Sequence, residues 1–139
     1  ALPISSICNP IEYIPSMELP DEEYPMKMMT GRVLYHYNAC AMTDKTEGLN
    51  EISGHSFIEI NTEDAERIGI KDGDRVKVSS RRGSIETTAN VSGKTNPGEC
   101  WMPFHFLDGG ANWLTSDALD SISSTPEYKV CAVKIENTK

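Results

Sequence analysis

At 139 residues the chain fits one domain with a core of its own, and no apolar run nears the ~20 residues of a membrane-spanning helix. Its formal net charge of −8 excludes a surface built to grip a nucleic-acid backbone or an anionic membrane, both of which need clustered Lys and Arg. A small phosphate-bearing ligand stays within reach, because a few local donors can hold one whatever the net charge.

Residues 1–25 read as an extended inter-domain linker. Pro3, Pro10, Pro15, Pro20 and Pro25 forbid a helix, and Asp21-Glu22-Glu23 adds a solvated acidic patch. Ala1–Pro10 lacks the charged start and apolar block of a secretory signal, and a first residue other than Met suits a processed or excised fragment. From Met26 to Lys139 the pattern is that of one compact β domain. Met28 to Tyr37 is rich in strand formers after Gly31, and Asn38 to Gly54 reads as a loop.

Ser56 to Ile60 alternates, with Phe57 and Glu59 on one face and Ile58 and Ile60 on the other. Asn61 is placed to cap a short helix over Thr62–Ile68, with Glu63 and Asp64 in its first turn and Gly69 to end it. Lys71-Asp72-Gly73-Asp74 is a turn. A hairpin follows: Arg75–Val78 goes out, Ser80–Ser84 connects, and Ile85, Thr87, Ala89 and Val91 form one face of the returning strand. Thr95-Asn96-Pro97-Gly98 turns into a strand over Glu99–Met102, and Cys131, Val133 and Ile135 line a closing strand. Many short strands with one short helix suggest a mainly-β barrel.

Cys8, Cys40, Cys100 and Cys131 are widely spread, with no C-x-x-C pair. Zinc and iron–sulfur sites normally show close ligand spacing, and disulfide scaffolds are denser in Cys. A reducing compartment, the cytoplasm, is the natural reading. His55 and His105 have no Ser or Cys partner at a recognisable spacing, so no metal-ligand cluster is expected. Arg81-Arg82 reads as a solvated hairpin tip.

Three segments carry candidate ligand chemistry. Thr30-Gly31-Arg32, followed by Leu34-Tyr35-His36-Tyr37-Asn38, combines close backbone approach, a guanidinium fork and flat rings. On residue chemistry alone, an ordinary strand with Tyr and His in its core or rim is the simpler reading. Phe104 to Asn112 holds Gly109-Gly110, which lets a backbone come close, and Asn112, which can both donate and accept. On residue chemistry alone, a loop turning at Gly109-Gly110 with Asn112 as a helix cap is the favoured reading. Lys129, before an apolar strand, is by itself an edge residue.

These segments, with Met42-Thr43, Ala111-Asn112-Trp113-Leu114-Thr115 and Pro126-Glu127-Tyr128-Lys129, resemble the C-terminal domain of molybdenum- or tungsten-dependent oxidoreductases that carry a bis-molybdopterin guanine dinucleotide. The likeness is strongest to prokaryotic formate dehydrogenases, with periplasmic-type nitrate reductases next, and runs from about Tyr24 to Glu136. It implies a six-stranded double-psi β-barrel with short helices (an aspartate decarboxylase-like barrel). It also implies cofactor contacts at Thr30, Gly31, Arg32, Leu34, Tyr35, His36, Tyr37, Asn38, Phe104, Asn112 and Lys129. Asn38-Ala39-Cys40 departs from the family pattern, which often has a His or Thr there.

By the same resemblance, the function is cofactor binding within an enzyme that oxidises formate to carbon dioxide. The metal's protein ligand and any iron–sulfur cluster lie in other domains, and the partners are those domains and an electron-transfer subunit. Another family member, such as a nitrate reductase or formylmethanofuran dehydrogenase, fits the same motifs. So does a double-psi barrel that binds proteins and no pterin.

Overall fold

The computed structural model describes Pro10 and residues 12–138; the expectations for Ala1–Asn9, Cys8 among them, lie outside that range. Six runs of alternating residues form strands: β1 (Met26–Gly31), β2 (Phe57–Asn61), β3 (Arg75–Ser79), β4 (Ser84–Ser92), β5 (Glu99–Pro103) and β6 (Val130–Asn137). They close into a barrel in the order β1-β5-β2-β4-β3-β6. β1 runs parallel to β5 and β2 parallel to β4, while the other neighbours are antiparallel. This is the mainly-β, six-stranded double-psi barrel expected from the sequence.

One side chain in two points inward, and the interior is filled by Met26, Met28, Ile58, Ile60, Val76, Val78, Met102 and Val133, all essentially inaccessible to water. Cys100 and Cys131 are buried with them as free thiols. Burial pushes the Cys131 thiol up to about 12, and drives Cys100 upward as well. Neither is a thiolate at neutral pH, so both act as apolar packing.

The helix α2 (Thr62–Ile68) has the expected bounds and caps. The Asn61 side chain accepts the Glu63 N–H at 2.9 Å, and Gly69 ends the helix at φ 72°. Buried Asp64 accepts the Gly98 N–H at 2.6 Å, which ties α2 to the turn before β5.

The strand expected to run to Tyr37 stops at Gly31. Gly31 pairs with Pro103, the last residue of β5, and a proline offers no N–H to extend the ladder. The segment expected as a loop from Asn38 to Gly54 holds a 3-10 turn at Thr43–Lys45 and the helix α1 (Glu47–Ser53). Neither buries a side chain fully, so no apolar stripe announced them.

The strand senses have one consequence for function. β1, β3 and β5 end, and β2, β4 and β6 begin, at the same end of the barrel. Residues 32–56, 80–83 and 104–129 therefore all gather on one rim. The turns at 69–74 and 93–98 lie at the other end.

Candidate cofactor-binding rim

Thr30 fixes one corner of the rim. Its N–H donates to the Lys129 carbonyl at 3.0 Å, and its hydroxyl donates to the Tyr128 carbonyl at 2.7 Å. The next residue carries no side chain because Trp101 occupies the space: a Cβ on Gly31 would stand 2.6 Å from the indole nitrogen. The Gly31 carbonyl accepts the Phe104 N–H at 3.2 Å, drawing the second segment alongside the first.

Arg32 then lies over the Phe104 ring, 5.5 Å from guanidinium carbon to centroid, and donates to the Asn38 side-chain oxygen at 3.2 Å. Phe104 meets Tyr128 edge to face at 6.1 Å, and the Lys129 ammonium sits 5.8 Å above the Tyr128 ring. Two cations thus flank a pair of edge-to-face aromatics, and among the described residues neither is paired with a carboxylate. In a chain of net charge −8, that leaves them free for an anion.

The Tyr-His-Tyr segment divides. Tyr35, Tyr37 and Leu34 face solvent, Leu34 at 89% of its full accessibility, while His36 is turned inward and buried. The His36 Nε2 lies 2.6 Å from the Ser53 carbonyl, which can only accept, so Nε2 carries the proton. The Nδ1 lone pair then faces the Thr43 hydroxyl at 3.1 Å and the Cys40 sulfur at 3.0 Å. The His105 ring stands 4.9 Å from that of His36. Burial, and then the neighbouring His36, push His105 below the ordinary histidine range.

The expectation that His105 stands alone is therefore corrected: 65 positions separate it from Cys40, and the rim brings them together. No spacing rule could have found that pairing. Cys40 adopts a left-handed backbone, φ 66°, as does Asn38 at φ 47°. That conformation folds the segment back on itself.

Asn112 leaves the same end of the barrel as Arg32, in a 3-10 turn (Ala111–Trp113) packed beside β4, but outside the Arg32–Phe104–Lys129 cluster. Its side-chain amide makes no hydrogen bond among the described residues. The turn is positioned by Gly109, at φ 61°, where a Cβ would come within 2.8 Å of the Glu86 carbonyl. Ser56 donates to the Gly109 carbonyl at 2.8 Å, closing one wall of a cavity of about 590 Å³ bounded also by Cys40, His55, His105 and Phe106.

Arg81 and Arg82 correct a second expectation. The Arg82 guanidinium donates with both terminal nitrogens to Glu18, and one also donates to the Leu114 carbonyl at 2.7 Å. Arg81 pairs with Glu18 and Asp21 and lies over the Tyr24 ring at 4.9 Å. The hairpin tip clasps residues 16–24 to the barrel and, through the Leu114 carbonyl, holds the end of the Asn112 turn.

Residues 26–132 match the molydopterin dinucleotide binding domain family. The chain belongs to that family. It is 46% identical over 128 residues to the F420-dependent formate dehydrogenase 2 subunit alpha of Methanococcus maripaludis, an alignment covering 92% of this chain and 19% of the relative. It is likewise 46% identical over 127 residues to the F420-dependent formate dehydrogenase subunit alpha of Methanocaldococcus jannaschii, with 91% and 19% covered. The chain thus spans about a fifth of the length of these relatives. Among solved structures, acetylene hydratase from Pelobacter acetylenicus superposes with a TM-score of 0.72 at 15% identity, covering 82% of this chain and 18% of that one, which shows a shared fold.

Proposed function

We propose that this domain holds a bis-molybdopterin guanine dinucleotide within the catalytic subunit of a formate dehydrogenase. The observation that carries the reading is the pair of cations, Arg32 over Phe104 and Lys129 over Tyr128, that have no carboxylate partner among the described residues and are fixed side by side by Thr30. A pterin dinucleotide presents phosphates, a flat ring with donors and acceptors along its edge, and a second ring system. The rim offers a matching set: Arg32 and Lys129 for anionic groups, Phe104, Tyr35 and Tyr37 for flat rings, and the Asn38 and Asn112 amides for polar edges.

The cofactor's metal, molybdenum or tungsten, supplies the two-electron chemistry of formate oxidation to carbon dioxide when bound. This chain contributes binding and electrostatics. Thr30 and Gly31 set the backbone, Lys129 places positive charge beside the ligand, and His36 locks residues 36–53 against the Phe106 loop. The exposed Leu34, Leu107 and Trp113 on the same end suit burial against the remaining domains of the subunit. Residues 1–25 then serve as the inter-domain linker. The metal's ligand and an iron–sulfur cluster belong to those other domains, and electrons pass to an electron-transfer subunit in the cytoplasm.

The test is the complete subunit that contains this chain, purified and assayed for guanine nucleotide, for molybdenum and tungsten, and for dye reduction by formate. Guanine nucleotide with metal and formate-dependent reduction is the expected result. Nucleotide and metal without formate turnover would retain the binding role and remove the substrate. Absence of any pterin nucleotide would remove both.

A further inference from the structure

We propose that His36, Cys40 and His105 form a binding site for a single borderline-soft divalent cation of the zinc class. The reading uses none of Arg32, Phe104, Asn112 or Lys129, and of the expected pterin contacts it takes only His36, whose ring is turned inward and buried.

Three different ligand atoms, two imidazole nitrogens and one sulfur, lie within 4.8 Å of one another, and all three residues are buried. In a tetrahedral zinc site the ligand atoms stand about 3.3–3.6 Å apart, given metal–nitrogen and metal–sulfur bonds of about 2.0 and 2.3 Å. Cys40 Sγ and His36 Nδ1 stand 3.0 Å apart as a hydrogen-bonded pair, and an ion between them would open that distance by about 0.5 Å. All three ligand atoms lie within 4.8 Å of one another, so an ion would have to draw the widest pair together by about 1 Å to reach that spacing.

The second observation is independent of the spacing. His105 Nε2 is buried and has no hydrogen-bond partner among the described residues. A buried unpaired polar nitrogen is costly and calls for an explanation, and a coordinated ion would satisfy it. His36 is arranged like a ligand as well. Its Nε2–H donates to the Ser53 carbonyl at 2.6 Å, which fixes the tautomer that leaves Nδ1 as a lone-pair donor toward Cys40. Cys40 has a left-handed backbone, φ 66°, and its sulfur lies 3.0 Å from the His36 Nδ1.

The chemistry of the set selects the ion. One thiolate with two imidazoles favours zinc and its close relatives over magnesium or calcium, which take oxygen ligands. Binding releases the Cys40 thiol proton: the S–H bond is exchanged for a sulfur–metal bond and one H⁺ leaves for each ion taken up. Cys40 and His105 both border the 590 Å³ cavity, so a fourth position can be filled from solvent. A bound ion would pin the segment after β1 to the segment after β5, the two arms of the rim.

Cobalt titration of the full 139-residue chain, followed by absorption and then by competition with Zn²⁺, tests this. One Co²⁺ per chain is expected, with a thiolate-to-metal charge-transfer band and tetrahedral visible bands, displaced by Zn²⁺ and not by Mg²⁺. Cys40→Gly removes the thiol at a left-handed backbone position that glycine favours, so the fold is kept and the charge-transfer band is lost. His105→Gln weakens Co²⁺ binding at least about tenfold while the sulfur band remains. A wild-type chain that binds no Co²⁺, or a charge-transfer band that survives in Cys40→Gly, overturns the proposal.

Discussion

Glu18 and Arg82 lie 64 positions apart in sequence, and their side chains meet in a two-pronged ion pair that straps residues 16–24 across the β3–β4 hairpin. The same carboxylate accepts the main-chain N–H of Ala132, at 2.9 Å, on β6. One acidic side chain therefore joins the leading segment, a hairpin tip and a barrel strand. Arg82→Ala leaves the half-buried Glu18 without its fork, at a cost of about 1.5–3 kcal/mol. Urea unfolding measures the loss, and limited proteolysis should find new cleavage within residues 12–25.

Burial alone would raise the Glu18 carboxyl, but the Arg82 hydrogen bond, the Ala132 N–H and the charges of Arg82 and Arg81 outweigh it and hold it below the ordinary glutamate range. A group with its pKa depressed by folding stabilises the fold above the unfolded value, here 4.5, and loses that contribution as pH falls through the lower folded value. Stability should therefore decline on acidification below about pH 4.5. Comparison of melting curves for wild type and Glu18→Gln isolates the effect: the variant starts less stable at pH 7 and shows a shallower acid slope.

Two glycines separate backbone strain from collision. Gly69 and Gly109 both have positive φ, but a Cβ at Gly69 meets open space and one at Gly109 meets the Glu86 carbonyl. Gly69→Ala should cost about 1 kcal/mol, from the left-handed backbone alone. Gly109→Ala should cost at least about 2 kcal/mol and displace the Asn112 turn. Equal losses in chemical denaturation would contradict the contact.

Met28 and Leu34 sit close in sequence and at opposite extremes of burial, 0% and 89%. Met28→Ala should destabilise the barrel by about 2–5 kcal/mol through the cavity it leaves. Leu34→Ser should change the stability of this chain by no more than about 0.5 kcal/mol. In the complete subunit, Leu34→Ser should instead increase protease access to this domain, if Leu34 packs against a neighbouring domain.

Local signals made most of the barrel legible. Asn61, Gly69 and Gly73 act within a few residues of themselves, so the cap of α2 and the turn after it were readable at the stated positions. Alternation at Val76, Val78, Ile85, Thr87 and Ala89 likewise marked the hairpin, because one face of each strand fills the interior. The end of β1 was not readable. It depends on Pro103, which meets Gly31 only through parallel pairing with β5. The helix α1 escaped for the opposite reason, since it has no buried face to leave a period in the sequence.

The rim followed the same division. Gly31, Arg32, Phe104 and Lys129 were nameable from their motifs, and the structure gathers them through Thr30 and the Phe104 N–H. The contacts of Arg82 and His105 are not legible locally because their partners, Glu18 and His36, are distant along the chain. A charged hairpin tip and an isolated histidine carry no mark of what they will meet. Only the barrel's topology, which returns residues 32–56, 80–83 and 104–129 to one end, creates those contacts.

Cofactor retention by Arg32 and Lys129 variants tests the account at its centre. The complete subunit carrying Arg32→Ala with Lys129→Met should fold with an unchanged melting profile for this domain and release or fail to acquire guanine nucleotide, measured after denaturation against the wild-type stoichiometry. Full nucleotide and metal content in that double variant would contradict the assignment of this rim to the dinucleotide.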